Sequence, residues 1–293
     1  MQKKKIFIHA GAHRTGTSSF QYFLDKNRDV LTGAGYDLAY PARDGAQEGT
    51  LGLGLPQPRH GMDQQRRFAK ACRRDLARQM TEGARGLILS EENLPGRMMH
   101  FYNGQFFPAA AARFDALRRG LPTRVKHLIY VVRRYDGLFA SAYRKRAEEN
   151  QVPPWDDIRE RMVGMQEGYS DLMQVIVAQL RPKRITVVEY GKRGESRDLL
   201  GVLLPRVPEG LVEPERVLNV SATDAALFAL QKLHRDKATV SPEMLSTIMA
   251  EHAENKENLG FASFDAAETA QIEARYARDL EVIEAMPEVN LIR

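Results

Sequence analysis

The chain has 293 residues, 43% of them hydrophobic and 28% charged, which suits one large α/β domain with a substantial core or two small ones. The net charge is +5 and the 43 basic residues are spread along the chain, a surplus that suits an anionic ligand and gives little ground for a nucleic-acid partner. The single cysteine, Cys72, excludes an intramolecular disulfide and a cysteine-rich metal site, and no apolar run approaches the ~18 residues of a membrane span.

The basic start MQKKK precedes an apolar stretch too short for a secretory signal, so a cytoplasmic protein is expected. A buried strand near Lys4 to Ala10 leads into a loop with Gly11 and Gly16, then a helix from about Gly16 to Leu31 with Phe20, Phe23, Leu24 and Leu31 on one face. Gly33 and Gly35 end it, and Tyr36 to Tyr40 reads as a second strand. Residues 41 to 61 are rich in Gly and Pro and read as a long loop beside a ligand. A helix over about Met62 to Thr81 carries exposed arginines, with Cys72 as a packing residue.

Leu87, Ile88 and Leu89 form a short buried strand whose end carries Ser90, Glu91, Glu92 and Asn93, where parallel α/β sheets gather their functional groups. A helix around Ala109 to Arg119 precedes the strongest strand, Val125 to Arg134, apolar on both faces as a central parallel strand is. Asp136 is placed to cap the helix that follows, up to Asn150. Helices near Trp155 to Gln166 and Gly168 to Leu180, a strand from Arg184 to Tyr190 and a helix around Ser196 to Leu204 come next. After Pro205, Pro208 and Pro214 come a helix capped near Ser221 and two more, near Pro242 to Asn258 and Phe264 to Met286. The alternation predicts an α/β fold with a parallel sheet and flanking helices, its core over about 3–205 and a helical region over about 215–293.

The opening strand, glycine loop and helix form the arrangement that binds phosphate, because the glycines let backbone N–H groups turn inward toward a helix N-terminus. Thr15, Thr17, Ser18 and Ser19 add hydroxyls. The nucleotide-triphosphatase pattern G-x-x-x-x-G-K-S/T needs lysine after its second glycine; here Thr17 stands there, and the cation of the loop is Arg14. An unremarkable strand-to-helix turn is the plain alternative.

The stretch His9 to Phe20, HAGAHRTGTSSF, resembles the 5′-phosphosulfate loop of bacterial sulfotransferases that use 3′-phosphoadenosine 5′-phosphosulfate (PAPS). That family usually has lysine where this chain has Arg14, and arginine keeps the charge as a planar fork. Arg133, Ser141 and Tyr143 resemble its 3′-phosphate motif, an Arg followed eight residues later by Ser and then Tyr. Ser90 to Asn93, SEEN, is similar to the family's segment carrying the acid, with Glu92 at the acid's place and Glu91 where serine is commoner.

The resemblance implies a P-loop-type fold and sulfuryl transfer from PAPS to a hydroxyl acceptor, a small molecule or a saccharide, leaving adenosine 3′,5′-bisphosphate. It implies Arg14 and Glu92 as catalytic residues, with Arg14, Thr15, Gly16, Thr17 and Ser18 at the 5′-phosphate and Arg133 and Ser141 at the 3′-phosphate. Glu91 and His13 remain alternatives to Glu92 as the base. Arg133 equally suits a solvated strand edge, and Glu91 or Glu92 equally suits a helix cap or an arginine pair. Basic helices around Arg66 to Arg78 and Arg113 to Arg119 are candidates to line an acceptor entrance or simply solvated faces. A nucleotide-type kinase and a catalytically silent nucleotide- or glycan-binding protein are the other classes. The seven histidines are scattered and suggest no metal site.

Overall fold

The computed structural model describes residues 4–12, 14–43, 45–215, 221–236 and 240–293. The main sheet is built from β1 (Lys5–Gly11), β2 (Tyr36–Ala39), β5 (Gly86–Ser90), β6 (Val125–Val132), β7 (Ile185–Glu189) and β8 (Val289–Ile292). Its order is β2-β5-β1-β6-β7-β8, and every neighbouring pair is parallel. A separate antiparallel hairpin joins β3 (Pro41–Arg43) to β4 (Ala46–Thr50).

Alternation along β1 sends Ile6, Ile8 and Ala10 into one core and Phe7 into the other. The first core holds α3 (Met62–Arg78), α4 (Ala110–Gly120), α5 (Tyr135–Glu149), α6 (Trp155–Val163), α7 (Tyr169–Val175) and α11 (Ala266–Glu284). The second holds α1 (Thr17–Lys26), α2 (Arg28–Gly33) and α8 (Ser196–Leu203). Central strand β6 is shielded on both faces, with Leu128 to Val132 at 0% exposure, as its unbroken apolar run requires. The expected α/β architecture, a parallel sheet with helices on both sides and further helices toward the C-terminus, is therefore the observed one.

Topology places the site. The chain leaves β1 toward the β2 edge, whereas it leaves β6 toward β7 on the opposite side. Where the winding direction reverses, the loops after neighbouring strands part and leave a crevice at the carboxyl ends. The glycine loop after β1 and the turn after β6 border it.

Several elements differ from expectation. The first helix breaks at Asn27, whose buried side chain donates to the Phe23 and Val212 carbonyls (2.8 and 2.9 Å) and accepts from the Val212 N–H (2.7 Å). The supposed loop over 41–61 begins as the β3–β4 hairpin, which periodicity misses because each strand is too short. Gly49 is required there, since a Cβ would lie 2.5 Å from the Pro41 carbonyl carbon. β8 was not anticipated; its four residues, interrupted by Asn290, form a half-exposed edge beside β7.

Asp136 does not cap α5: it lies inside the first turn and pairs with the Arg134 guanidinium at 3.1 Å. The cap of α9 (Asp224–Arg235), expected near Ser221, is Thr223, which accepts from the Ala226 N–H at 3.2 Å. α7 widens into a π turn over Ile176–Leu180, and α10 (Pro242–Glu251) ends well before Asn258. Cys72 packs where expected, against Gly120 in α4, and burial pushes its thiol up to about 12. Among the described residues no helix is long and apolar enough to cross a membrane.

Candidate functional site

The loop after β1 is shaped by local bonds. The Ala12 N–H donates to the Val131 carbonyl (3.1 Å), keeping the chain beside β6 beyond the strand's end. The buried Thr15 hydroxyl donates to the Ala12 carbonyl (2.6 Å), closing the turn, and so does not line the cavity. Arg14 (φ 65°) and Gly16 (φ 86°) are both left-handed, a conformation that costs a non-glycine residue on the order of 1 kcal/mol. The strained Arg14 is held by Arg133, whose Nη1 donates to the Arg14 carbonyl at 3.0 Å.

Gly16 then caps α1 without a side-chain hydrogen bond, and the first bond of the helix runs from the Phe20 N–H to the Gly16 carbonyl (3.0 Å). The N–H groups of Thr17, Ser18 and Ser19 therefore have no acceptor within the helix. The Thr17 hydroxyl oxygen is buried with no partner among the described residues, and its residue lines a cavity of about 450 Å³. Donors with no acceptor inside the helix, at its positive end and beside a hydroxyl orphaned among the described residues, are suited to an oxyanion.

That cavity gathers most of the residues proposed from sequence. Arg14, Gly16, Thr17, Ser18, Glu92 and Arg133 line it, together with Arg43, Met98, Lys145, Tyr190, Arg193 and Ser221. Ser141 enters through Arg14, whose Nε donates to its Oγ at 3.0 Å while Nη2 donates to Ser221 Oγ at 2.7 Å. The two segments, more than a hundred residues apart in the chain, thus meet at one side chain. Tyr143 lies elsewhere: its hydroxyl donates to the Pro153 carbonyl (2.7 Å) and its ring packs on Trp155 and Phe261. Five cations face one carboxylate around the cavity, so its field favours a polyanion.

The two acids after β5 face different ways. Glu92 lines the 450 Å³ cavity, whereas Glu91 borders a neighbouring cavity of about 310 Å³ and accepts from the Asn93 N–H at 2.8 Å. Arg43, carried in by the hairpin, pairs with both, directly with Glu92 and at 3.3 Å with Glu91. The arginine pair weighed from sequence is therefore present, and it leaves Glu92 on the cavity wall. His13 lies outside the described residues.

Arg113 borders the 310 Å³ cavity beside Glu91 but is largely buried: its guanidinium donates to the Leu94 (2.9 Å), Pro56 (2.7 Å) and Asn93 carbonyls, clamping the segment after Glu92. Burial lowers its pKa to about 10. Arg118 and Arg119 pair with Asp115 within α4, and Arg73 of α3 bonds the Arg119 carbonyl, while the two helices pack through Cys72, Leu76, Phe114 and Leu117. Beneath the loop, His9 is buried against Phe20 with Nδ1 3.0 Å from Ser90 Oγ. Burial, and secondarily the Arg193 charge, depress its pKa to about 3, so it is neutral.

Sequence reasoning missed Arg43, Lys145, Tyr190, Arg193 and Ser221. Lys145 was within reach, standing one helical turn beyond Ser141 on α5. The other four come from a hairpin, a turn and a connection that carry no periodic signal. Searches of family models, curated proteins and solved structures found no match to this chain.

Proposed function

We propose that the chain is a sulfotransferase that moves a sulfuryl group from PAPS to a hydroxyl-bearing acceptor. The observation that carries this reading is the junction at Arg14, where the glycine loop and the Arg133–Ser141 segment share one cavity. A nucleotide phosphorylated at both 5′ and 3′ positions needs two anion sites on one sheet edge. The residues fit such a group: the orphaned Thr17 hydroxyl, the open helix end and the cationic lining are each suited to phosphate oxygens.

In this reading the loop N–H groups, Arg14, Thr17 and Ser18 hold the 5′ end, and Arg133 and Ser141 hold the 3′-phosphate. When bound, the cosubstrate supplies the sulfuryl group, whose bond to the 5′-phosphate oxygen breaks as the acceptor oxygen bonds to sulfur. Arg14 and the loop donors neutralise the charge that gathers on the departing phosphate. Glu92, oriented by Arg43, takes the acceptor's proton. Arg14 reaches Ser141 and Ser221 directly, so it exchanges these hydroxyls for phosphate oxygens when the nucleotide enters.

The test is transfer of labelled sulfate from PAPS to a panel of phenolic, aliphatic and saccharide hydroxyls, with Glu92→Gln as the control. Product above that control supports the reading. A preference for ATP with Mg²⁺ over adenosine 3′,5′-bisphosphate in thermal stabilisation would replace it with phosphoryl transfer. Nucleotide binding without transfer to any acceptor would replace it with a silent binding protein.

A further inference from the structure

The loop lacks the lysine that nucleotide-binding loops carry after the second glycine, yet a cation stands there in space. Arg193 follows β7, at the end of a short 3₁₀ turn over Tyr190–Lys192, and its guanidinium lies directly on Gly16. A Cβ at Gly16 would be 2.7 Å from Arg193 Nη1 and 2.8 Å from its Cζ. Glycine is thus needed twice at position 16, for its left-handed backbone and for the room the guanidinium occupies.

This placement is unfavourable unless an anion completes it. The guanidinium sits at the N-terminus of α1, where the helix dipole and the unpaired N–H groups are already positive. Among the described residues no carboxylate pairs with Arg193; its neighbour is the Tyr190 ring, 5.4 Å from the guanidinium carbon. The same ring carries Arg133 at 5.3 Å, so one aromatic side chain spaces the two arginines within one cavity. His9 beneath the loop is kept neutral in part by Arg193, so no second positive charge accumulates there.

We propose that Arg193 is the second cation of the anion cradle at Gly16, delivering from the turn after β7 the charge that the loop itself lacks at Thr17. On the sulfotransferase reading, from which the ligand is taken, Arg193 grips the 5′-phosphate and leaves the 3′-phosphate to Arg133.

Calorimetry of the full chain with inorganic pyrophosphate, adenosine 3′,5′-bisphosphate, adenosine 5′-monophosphate and adenosine 3′-monophosphate tests this. Arg193→Ala should weaken pyrophosphate and the bisphosphate by about tenfold to a hundredfold, the scale of one charge-assisted contact. It should change adenosine 3′-monophosphate by less than about twofold, the expected insensitivity of a ligand without the 5′ group. Arg193→Lys should recover part of the loss, and a melting temperature of ligand-free Arg193→Ala no lower than that of the wild type would keep the comparison free of misfolding. Equal weakening of all four ligands, or no weakening of pyrophosphate, overturns the role assigned to Arg193. A pyrophosphate loss in Arg193→Ala, with the wild type indifferent to the 3′-phosphate, upholds Arg193 and overturns the sulfotransferase reading. Failure of the wild type to bind any of the four overturns both.

Discussion

Replacement of Asp279 by alanine should unfasten the corner that carries Arg133. Asp279, on α11, is buried and accepts from the Tyr169 N–H (2.9 Å), the Ser170 hydroxyl (2.7 Å) and the Tyr135 hydroxyl. Tyr135 opens α5 immediately after the Arg133–Arg134 turn, and the Tyr169 hydroxyl accepts from the Arg133 N–H at 3.3 Å. Without the carboxylate, the Tyr169 N–H keeps the Tyr135 oxygen at 2.6 Å as an acceptor, so two hydroxyl donors lose theirs. Each buried donor left unpaired costs about 1–3 kcal/mol, and hydroxyl rotation recovers part, so the loss should be about 3 kcal/mol. In a chain of this size that is a fall in melting temperature of roughly 6–12 °C. Urea unfolding of wild type, Asp279→Ala, Ser170→Ala and the double variant measures it. Ser170→Ala should cost about 1 kcal/mol alone and almost nothing once Asp279 is gone. Equal costs in both backgrounds, or a melting temperature of Asp279→Ala within about 2 °C of wild type, would refute the network.

Three further outcomes are expected. In steady-state transfer assays, Arg14→Ala should lower kcat by about a hundredfold or more, whereas Arg133→Ala should act mainly on KM for the nucleotide; the reverse pattern would exchange their roles. Glu92→Gln should lower kcat on a similar scale while leaving calorimetric affinity for adenosine 3′,5′-bisphosphate unchanged, and wild-type turnover would remove Glu92 as the base. For His9 the folded pKa of about 3 lies below the ordinary 6.5, so the unfolded chain binds the extra proton as pH falls through that window. Stability should therefore drop by up to about 1.4 kcal/mol per pH unit from pH 6.5 toward 3, and His9→Gln should flatten that slope by one proton. An identical slope in the variant would show that His9 is not the buried neutral group.

The sequence made the sheet legible because parallel strands buried on both faces leave unbroken apolar runs, as in Leu128 to Val132. It made the two candidate phosphate-site segments legible because each has a fixed local spacing around glycine or arginine. It did not reveal that Arg14 would span from the loop to Ser141 and Ser221, since side-chain reach is set by tertiary packing. The same limit hid Arg43 and Arg193. One rides on a hairpin whose strands are too short for periodicity, the other on a turn that meets the loop only after β7 is in place. Asp136 shows the local limit in reverse: its place before a helix suggests a cap, whereas the adjacent Arg134 guanidinium claims it.

If two phosphate seats grip one nucleotide, the most direct measurement is the wild-type affinity for adenosine 3′,5′-bisphosphate against adenosine 5′-monophosphate. At least a roughly tenfold preference for the bisphosphate is predicted, on the scale of one charge-assisted contact, together with its disappearance in Arg133→Ala. Equal affinities in the wild type would contradict the account.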